Sequence, residues 1–262
     1  MPMRAIIIFV NIKIFGIRSM FNVIAVTLCL YVSAYVHSEP LRYNLPSDSK
    51  FLPYTGTGNV DKPGIYDELI PILMARAEIP IEPVDLPIKR AIKSLEVGLI
   101  DFDFVSRDWF PNGDIGDGFI VSEPIFTMTE YYITLPQNRS LFMTPESLVG
   151  KVVGTITGYY YFNEKAFIRM DFRTERSVIE GLERNRFEVA ILEEMTAHYW
   201  SAQTGISIGF AGVHTQGKIL MRLRDEHESL LPSINSAVRT LKQQGTIERI
   251  IEKYRNATLV DR

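Results

Sequence analysis

Two charged residues, Arg107 and Glu193, stand directly after two predicted strands, where side chains of α/β proteins often meet a ligand. A guanidinium holds a carboxylate through two parallel hydrogen bonds, so Arg107 is a candidate carboxylate ligand and Arg90 is a second. Glu193 could contact a ligand, or it could be an ordinary solvated acid at a helix N-terminus, where negative charge is favoured. Either arginine could pair with a surface acid, namely Asp101, Asp103 or Asp108.

The strands before these residues end two copies of one sequence pattern. Ile92–Val105 aligns without a gap on Ile179–Leu192. Each copy predicts the end of an amphipathic helix, a left-handed cap at Gly98 or Asn185, and a buried strand. A helix that leads into an apolar strand is typical of a parallel sheet. The repeat therefore predicts two α/β lobes, with the residues after each strand gripping a ligand from opposite sides of a cleft.

The rest of the chain predicts the helices and strands that position these two strands in their lobes. The first half of the chain predicts a β-α-β-α-β unit, with helices from about Gly64 and from Pro87. The second half repeats the alternation, with a helix from Thr144 to Val149, a strand over Lys151–Ile156 and a helix from about Tyr160. The rest of the pattern predicts a helix capped by Thr174, strands near Ile206–Phe210 and Lys218–Leu223, and two closing helices separated by Gly245.

The segment Thr157-Gly158-Tyr159 follows the first strand of the second lobe. Gly158 permits a tight turn, and the predicted helix would begin with its backbone amides facing the cleft. Such a helix N-terminus favours an anion, for example a carboxylate, so Thr157 and Tyr159 are candidate ligand contacts. The alternative is that the tyrosines from Tyr159 to Tyr161 pack against their own lobe.

Residues 1–38 have the layout of a secretory signal peptide. They contain three basic residues and no acid, an apolar run over Phe21–Val32, and the small residues Val36 and Ser38 before the expected cleavage site. The run is shorter than the roughly 20 residues that span a bilayer. We expect cleavage near Ser38; the open alternatives are an uncleaved anchor, or translation that starts at Met3 or Met20.

Composition excludes several classes of function. Cys29, the one cysteine, lies in the signal segment, so the mature chain has no thiol chemistry. Removing that segment moves the net charge from −3 to −6, which argues against a nucleic-acid partner. His198 and His214 lack companions for a metal site, and no phosphate-binding loop or nucleophile elbow is present, so no metal or cofactor is expected.

Four blocks in this order resemble extracellular solute-binding protein family 3, the two-lobed periplasmic receptors associated with polar amino-acid ABC transporters. They span nearly all of residues 41–257. The blocks are Gly64–Leu69 after Pro53-Tyr54, Leu86–Asp101, Ser122–Ile125 with Leu148–Gly158, and Leu241–Tyr254. Each block alone is weakly specific, and their order and spacing make the resemblance strong.

The resemblance implies an α/β fold with two lobes, each built on a β-α-β-α-β-based sheet with flanking helices. Residues 41–132 and 214–257 would form lobe 1, and residues 137–212 would form lobe 2. Two crossing strands, near Tyr131–Pro136 and Phe210–Gly217, would form a hinge. The ligand would lie at the carboxyl ends of the strands, and hinge closure would bury it.

The resemblance also implies roles for single residues. Tyr54 would be an aromatic wall of the pocket, the loop Ser106–Trp109 would supply ligand contacts, and Ser122 would place the chain before the hinge. Glu193 stands where relatives hold the ammonium of the ligand. The usual arginine that clamps the α-carboxylate is missing from Phe110–Asp117, which puts an α-amino-acid ligand in doubt. The implied ligand contacts are therefore Tyr54, Arg90, Ser106, Arg107, Trp109, Ser122, Thr157, Tyr159 and Glu193.

These observations predict a periplasmic, monomeric receptor that captures a small polar solute, an amino acid or a related molecule, and delivers it to the membrane permease of an ABC transporter. One alternative is a ligand-sensing input for a membrane signalling protein. Another is a dehydratase or lyase on the same scaffold, which needs a carboxyl group with a shifted pKa in the cleft. Glu193 and Glu123 are the only candidates for that group.

Overall fold

A computed structural model describes residues 39–46, 51–56 and 63–260. The predicted signal peptide at residues 1–38 lies outside the described residues, as does the start of the chain. No helix within the described ranges is long and apolar enough to cross a membrane.

The predicted β-α-β-α-β unit is confirmed. Strand β1 (Leu41–Asn44) pairs in parallel with β2 (Ile81–Val84) on one side and with β3 (Phe102–Ser106) on the other. Helix α1 begins after Gly64 and α2 begins after Pro87, as the sequence predicts. The elements are β1 (Leu41–Asn44), α1 (Ile65–Arg76), β2 (Ile81–Val84), α2 (Ile88–Glu96) and β3 (Phe102–Ser106).

The repeated caps are also confirmed. Gly98 has φ of 76° and Asn185 has φ of 51°, so both end their helices in the left-handed region. A residue with a β-carbon pays a steric cost there, which glycine avoids and asparagine tolerates. Each cap turns the chain back into a sheet strand, and this places the ends of β3 and of the later strand Val189–Glu193 on the same sheet.

Two long antiparallel strands run through the middle of the sheet. The short strand β4 (Phe119–Val121) precedes β5 (Phe126–Thr134), which pairs with β9 (Gly209–Arg224). The prediction of separate strands near Ile206–Phe210 and Lys218–Leu223 was wrong, because β9 is one strand of 16 residues. Its later half pairs with β3 and its earlier half with β5. The strand order is β2-β1-β3-β9-β5, followed by β8 (Val189–Glu193), β6 (Val152–Ile156) and β7 (Ile168–Phe172), with β4 also beside β9.

The second lobe contains β6 (Val152–Ile156), β7 (Ile168–Phe172), α3 (Glu175–Glu183), β8 (Val189–Glu193) and α4 (Glu194–Thr204). Thr174 caps α3 as predicted, since its hydroxyl accepts from the N–H of Ser177. The predicted helix from Tyr160 was wrong: only a 3-10 turn over Glu164–Ala166 joins the parallel strands β6 and β7. Tyr161 and Phe167 are both buried in one cluster, and six residues apart they would lie on different faces of a helix.

Helices α5 (Leu231–Gln243) and α6 (Thr246–Val260) close the fold. Their apolar residues join those of α1, β1 and β3 in one large core. Two smaller cores, on either side of β6 and β8, belong to the second lobe. The predicted helix over Thr144–Val149 is a single 3-10 turn, Pro145–Leu148. The residue limits predicted for the lobes stay a prediction.

Candidate ligand-binding cleft

A cleft of about 700 Å³ lies between the two lobes. One wall comes from β1, α2 and β3, and the other from the β6–β7 connection, β8 and the start of α4. The carboxyl ends of β1, β3, β6 and β8 all reach it, which is the usual binding edge of an open α/β sheet. Its volume falls within the range that small-molecule sites occupy.

Aromatic rings make up much of the cleft wall. Tyr66 stacks on Phe104 with ring centroids 4.9 Å apart. Phe51, from the loop after β1, meets the edge of Tyr159 from the second lobe at 5.9 Å. Aliphatic side chains from α2, β3 and β8 fill the spaces between the rings. A ligand here would therefore bury a sizeable apolar or aromatic surface.

Glu193 ends β8 and caps α4. Its Oε2 accepts a hydrogen bond from the N–H of Thr196 at 2.9 Å, and the residue is only 6% exposed. Burial raises the pKa of the Glu193 carboxyl to about 7, although the N–H groups of Thr196 and Met195 favour the charged form. The Tyr54 hydroxyl also lowers the pKa of this carboxyl, although it makes no well-formed hydrogen bond to any described residue.

Glu130, on β5, is a second buried carboxylate of the cleft. It stands directly opposite Glu193 in the antiparallel register of β5 and β8, and it is likewise 6% exposed. Its Oε2 accepts from the Thr215 hydroxyl at 2.6 Å and lies 3.3 Å from Nδ1 of His214. Directly opposed residues share one face of a sheet, so both carboxylates are directed to the same side.

Two further acids line the cleft with partners of their own. Glu175 is buried and accepts a hydrogen bond from the Tyr159 hydroxyl at 3.0 Å. Burial, followed by the charge of Glu175, raises the pKa of Tyr159 well above its usual value. Asp103 receives two hydrogen bonds from the guanidinium of Arg222, at 2.9 and 2.7 Å. The cleft wall thus includes Asp103, whose charge Arg222 balances, beside the buried carboxylates of Glu130, Glu175 and Glu193.

Four of the predicted ligand contacts line the cleft, and five do not. Those on its wall are Trp109, Thr157, Tyr159 and Glu193. Thr157 and Tyr159 reach it from a turn and not from the helix N-terminus that the sequence predicted. The residues away from the wall are Tyr54, Arg90, Ser106, Arg107 and Ser122.

The two predicted carboxylate clamps are exposed and face elsewhere. Arg107 lies in a 3-10 turn, and its guanidinium donates to the carbonyl of Gly113 at 3.0 Å. Arg90 lies on the exposed side of α2. Arginines that do pair with Asp101 and Asp103 come from other strands, as Arg42 and Arg222.

The three remaining predicted contacts are buried behind the wall. Tyr54 is fully buried and stacks on Phe51, so Phe51 and not Tyr54 presents its ring to the cleft. Ser106 bonds to Asp108 through its hydroxyl, in a space so tight that a β-carbon on Gly217 would meet Ser106 Oγ at 2.0 Å. The Ser122 hydroxyl accepts from the N–H of Met221 and joins β9 to the chain before β5.

The sequence analysis missed Glu130, Phe51 and Tyr66 as wall residues. Glu130 lies inside a strand, and its place opposite Glu193 depends on the pairing register of β5 and β8. One signal was available: an acid within an otherwise apolar or aromatic strand is unusual unless it has a buried partner or a function.

A group of possible metal ligands lies outside the cleft, formed by Asp101, Glu226 and His227. Arg42 donates three hydrogen bonds to Asp101, and Arg224 pairs with Glu226 at 2.8 Å. These arginines already supply the positive charge that a cation would bring, so ion pairing explains the group.

No protein-family model and no curated protein matches the chain. Solved structures are similar in fold. A mutant of ArgBP from T. maritima is 21% identical, with a TM-score of 0.64, covering 82% of this chain and 94% of that one. AbpA from Streptococcus pneumoniae, an amino acid ABC transporter substrate-binding protein bound to L-arginine, is 16% identical, with a TM-score of 0.65 and 84% and 95% covered.

The GluR0 ligand binding core in complex with L-glutamate is 15% identical, with a TM-score of 0.66 and 83% and 99% covered. At these identities the likeness concerns the fold. Nearly the whole length of each of these proteins is matched, and the unmatched part of this chain is about one sixth. The predicted two-lobed periplasmic-binding-protein fold is confirmed.

Proposed function

We propose that this chain is a periplasmic solute-binding protein that captures a small polar solute between its lobes for an ABC transporter. The observation that carries the proposal is the cleft of about 700 Å³ at the carboxyl ends of strands from both lobes. The fold likeness to amino-acid-binding proteins supports it. In this proposal the chain acts as a monomer, needs no cofactor and performs no chemistry on its ligand.

The hinge of the proposed receptor is the pair β5 and β9, whose middle parts would flex as the lobes close. Their pairing is irregular between Glu130 and Ile133, where two register shifts interrupt the ladder. Such irregularities locally break the ladder of hydrogen bonds and change the twist. Closure of two lobes about such a hinge is a common way to bury a ligand.

The partner in this proposal is a membrane permease, which would receive the solute after export of the chain through its signal peptide. A membrane sensor that reads the liganded form is the alternative partner. N-terminal sequencing of the exported product tests the cleavage near Ser38, since an uncleaved N-terminus favours the membrane-anchored sensor.

One observation favours a second candidate function, an enzyme on this scaffold. Glu193 is a cleft carboxyl whose pKa of about 7 would suit a general acid or base at neutral pH. The receptor remains our proposal because the same buried carboxylate also suits binding of a positively charged group. Turnover of a bound solute, followed by mass spectrometry, would favour the enzyme.

A thermal-shift screen tests the receptor proposal on the purified protein. The panel contains amino acids, polyamines, organic acids and sugars. A ligand present at about 100 times its dissociation constant adds roughly 2.7 kcal/mol of stability. We expect at least one solute to raise the melting temperature; a panel with no effect would contradict the receptor proposal.

Two matched phenylalanine variants locate the site of any hit. Phe51 lines the cleft, whereas Phe162 is exposed and lies outside its wall. Phe51→Ala should weaken binding of the solute, and Phe162→Ala should leave its affinity unchanged. Equal effects of the two variants would place the solute elsewhere.

A further inference from the structure

The two opposed carboxylates of the cleft, Glu130 and Glu193, lack a positive partner from a lysine or arginine within the described residues. Glu130 contacts His214 and Thr215, and Glu193 accepts from a backbone N–H group. Neither forms an ion pair with a lysine or arginine in that part of the chain. Like charges placed directly opposite each other on a sheet destabilise it, and burial increases the cost.

A third polar group beside them has unused hydrogen-bonding capacity. Thr196 is fully buried and lines the cleft next to Glu193. Its Oγ1 makes no well-formed hydrogen bond to a described residue, although the hydroxyl favours the charged form of Glu193 and so lowers the pKa of that carboxyl. A hydroxyl can accept as well as donate, so Thr196 can complete a set of three acceptors with the two carboxylates.

Among the described residues, no lysine or arginine is buried beside Glu130 and Glu193 without a carboxylate partner of its own. Arg222, which is the buried arginine in the part of the chain that the structure describes, is already bound to Asp103 through two hydrogen bonds. Lys89 and Arg173 also line the cleft, and both are exposed to solvent. A carboxylate brought next to Glu130 and Glu193 would lose hydration and meet like charge, which disfavours its binding.

We propose that the cleft binds an organic amine that carries no carboxylate, with its ammonium held between Glu130, Glu193 and Thr196. The inference rests on the proposed solute-binding function and narrows the class of the solute. An ammonium has three N–H donors and no acceptor, which matches three converging acceptors. The rings of Phe51, Tyr66 and Phe104 would receive an apolar or aromatic body of the amine.

Pairs of solutes that differ only in a carboxylate test this inference on the unmodified protein. The pairs are tyramine and tyrosine, agmatine and arginine, and cadaverine and lysine. We expect the amine of at least one pair to bind roughly tenfold or more tightly than its amino acid, measured by calorimetry. The aromatic and aliphatic pairs also show which body the cleft accepts.

Two variants test the placement of the ammonium. Glu193→Gln keeps the shape of the side chain and removes its charge, and should weaken amine binding roughly tenfold or more. Glu183→Gln is the matched control, because Glu183 is exposed at the end of α3 and outside the cleft. Circular dichroism checks that both variants fold. If Glu193→Gln does not fold, Glu130→Gln tests the placement of the ammonium in the same way, and the solute pairs test the class of solute on the unmodified protein.

The possible results separate this inference from the proposed function. Tighter binding of the amino acid in every pair would overturn the amine assignment and leave the receptor intact. Preference for a dicarboxylate or a neutral sugar would do the same. If no solute of any class binds, the receptor function fails and the amine assignment fails with it.

Discussion

At the scale of single residues, the ionisation of Glu193 is opposed by its surroundings. Burial is the main cause of its raised pKa, and the hydrogen bond from the Thr196 N–H offsets only part of the cost. The group has an ordinary value of 4.5 and a folded-state value of about 7. Between these values the folded chain keeps a proton that the unfolded chain has lost, so stability falls as pH rises through this window.

Glu193→Gln should therefore remove a pH-dependent loss of stability. Relative to the variant, the wild-type chain should lose up to about 3 kcal/mol of unfolding free energy between pH 5 and pH 8. Urea titrations at both pH values measure this difference. Glu183→Gln, at an exposed position, should follow the wild type; a constant gap between wild type and Glu193→Gln would contradict the raised pKa.

Sequence reasoning located residues that follow strands better than residues inside them. Glu193 and Thr157 reach the cleft because a parallel strand ends where they begin, which hydrophobic patterning predicts. Arg107 also follows a strand, yet the Ser106 cap turns it into a 3-10 turn that faces away. Glu130 enters the site through the pairing of distant strands, which local patterns do not encode.

At the scale of elements, the connection between β6 and β7 is held by one hydroxyl where the sequence predicted a helix. The Tyr161 ring is buried, and its Oη accepts from the N–H of Ile156 at 3.0 Å. Arg169 lies 5.0 Å over the same ring and donates to the carbonyl of Ile156 at 3.1 Å. These contacts satisfy the backbone at the end of β6, immediately before the cleft residues Thr157 and Tyr159.

Tyr161→Phe should lower the free energy of unfolding by about 1–3 kcal/mol, because it leaves the buried N–H of Ile156 without its acceptor. Chemical denaturation of the variant measures the loss. Tyr131→Phe is the matched control, since the Tyr131 ring lies half-buried against Phe210 and its hydroxyl makes no hydrogen bond to a described residue. Equal stabilities of the two variants would show that the Tyr161 hydroxyl does not support the turn.

The elements that sequence reasoning predicted well are those with local signals. The caps at Gly98 and Asn185 and the N-cap at Thr174 lie where the residue types demand them. The prediction of a helix after Tyr159 was wrong because three aromatic residues followed by a polar stretch are compatible with several local structures. Burial of Tyr161 and Phe167 in one core decided between them, and this is a tertiary effect.

At the scale of the whole molecule, the two lobes touch each other across the mouth of the cleft. Phe110 of the first lobe packs on Tyr160 of the second, with ring centroids 4.6 Å apart. Phe51 meets Tyr159, and a β-carbon on Gly158 would lie 3.1 Å from Ile88. Residues of the two cleft walls are therefore in contact, and these contacts would add to those that a ligand would make.

The Phe110–Tyr160 contact should stabilise closure and so strengthen ligand binding. An aromatic pair contributes roughly 0.5–1.5 kcal/mol, so Tyr160→Ala and Phe110→Ala should each weaken binding by about two- to tenfold. Because both variants remove the same ring contact, the loss of affinity in the double variant should be smaller than the sum of the two single losses. Calorimetry with the tightest-binding solute of the thermal-shift panel measures the affinities of the wild type, the two single variants and the double variant. Small-angle scattering without ligand should show a larger radius of gyration for the variants than for the wild type. Fully additive losses, with an unchanged radius, would mean that this contact does not hold the lobes together.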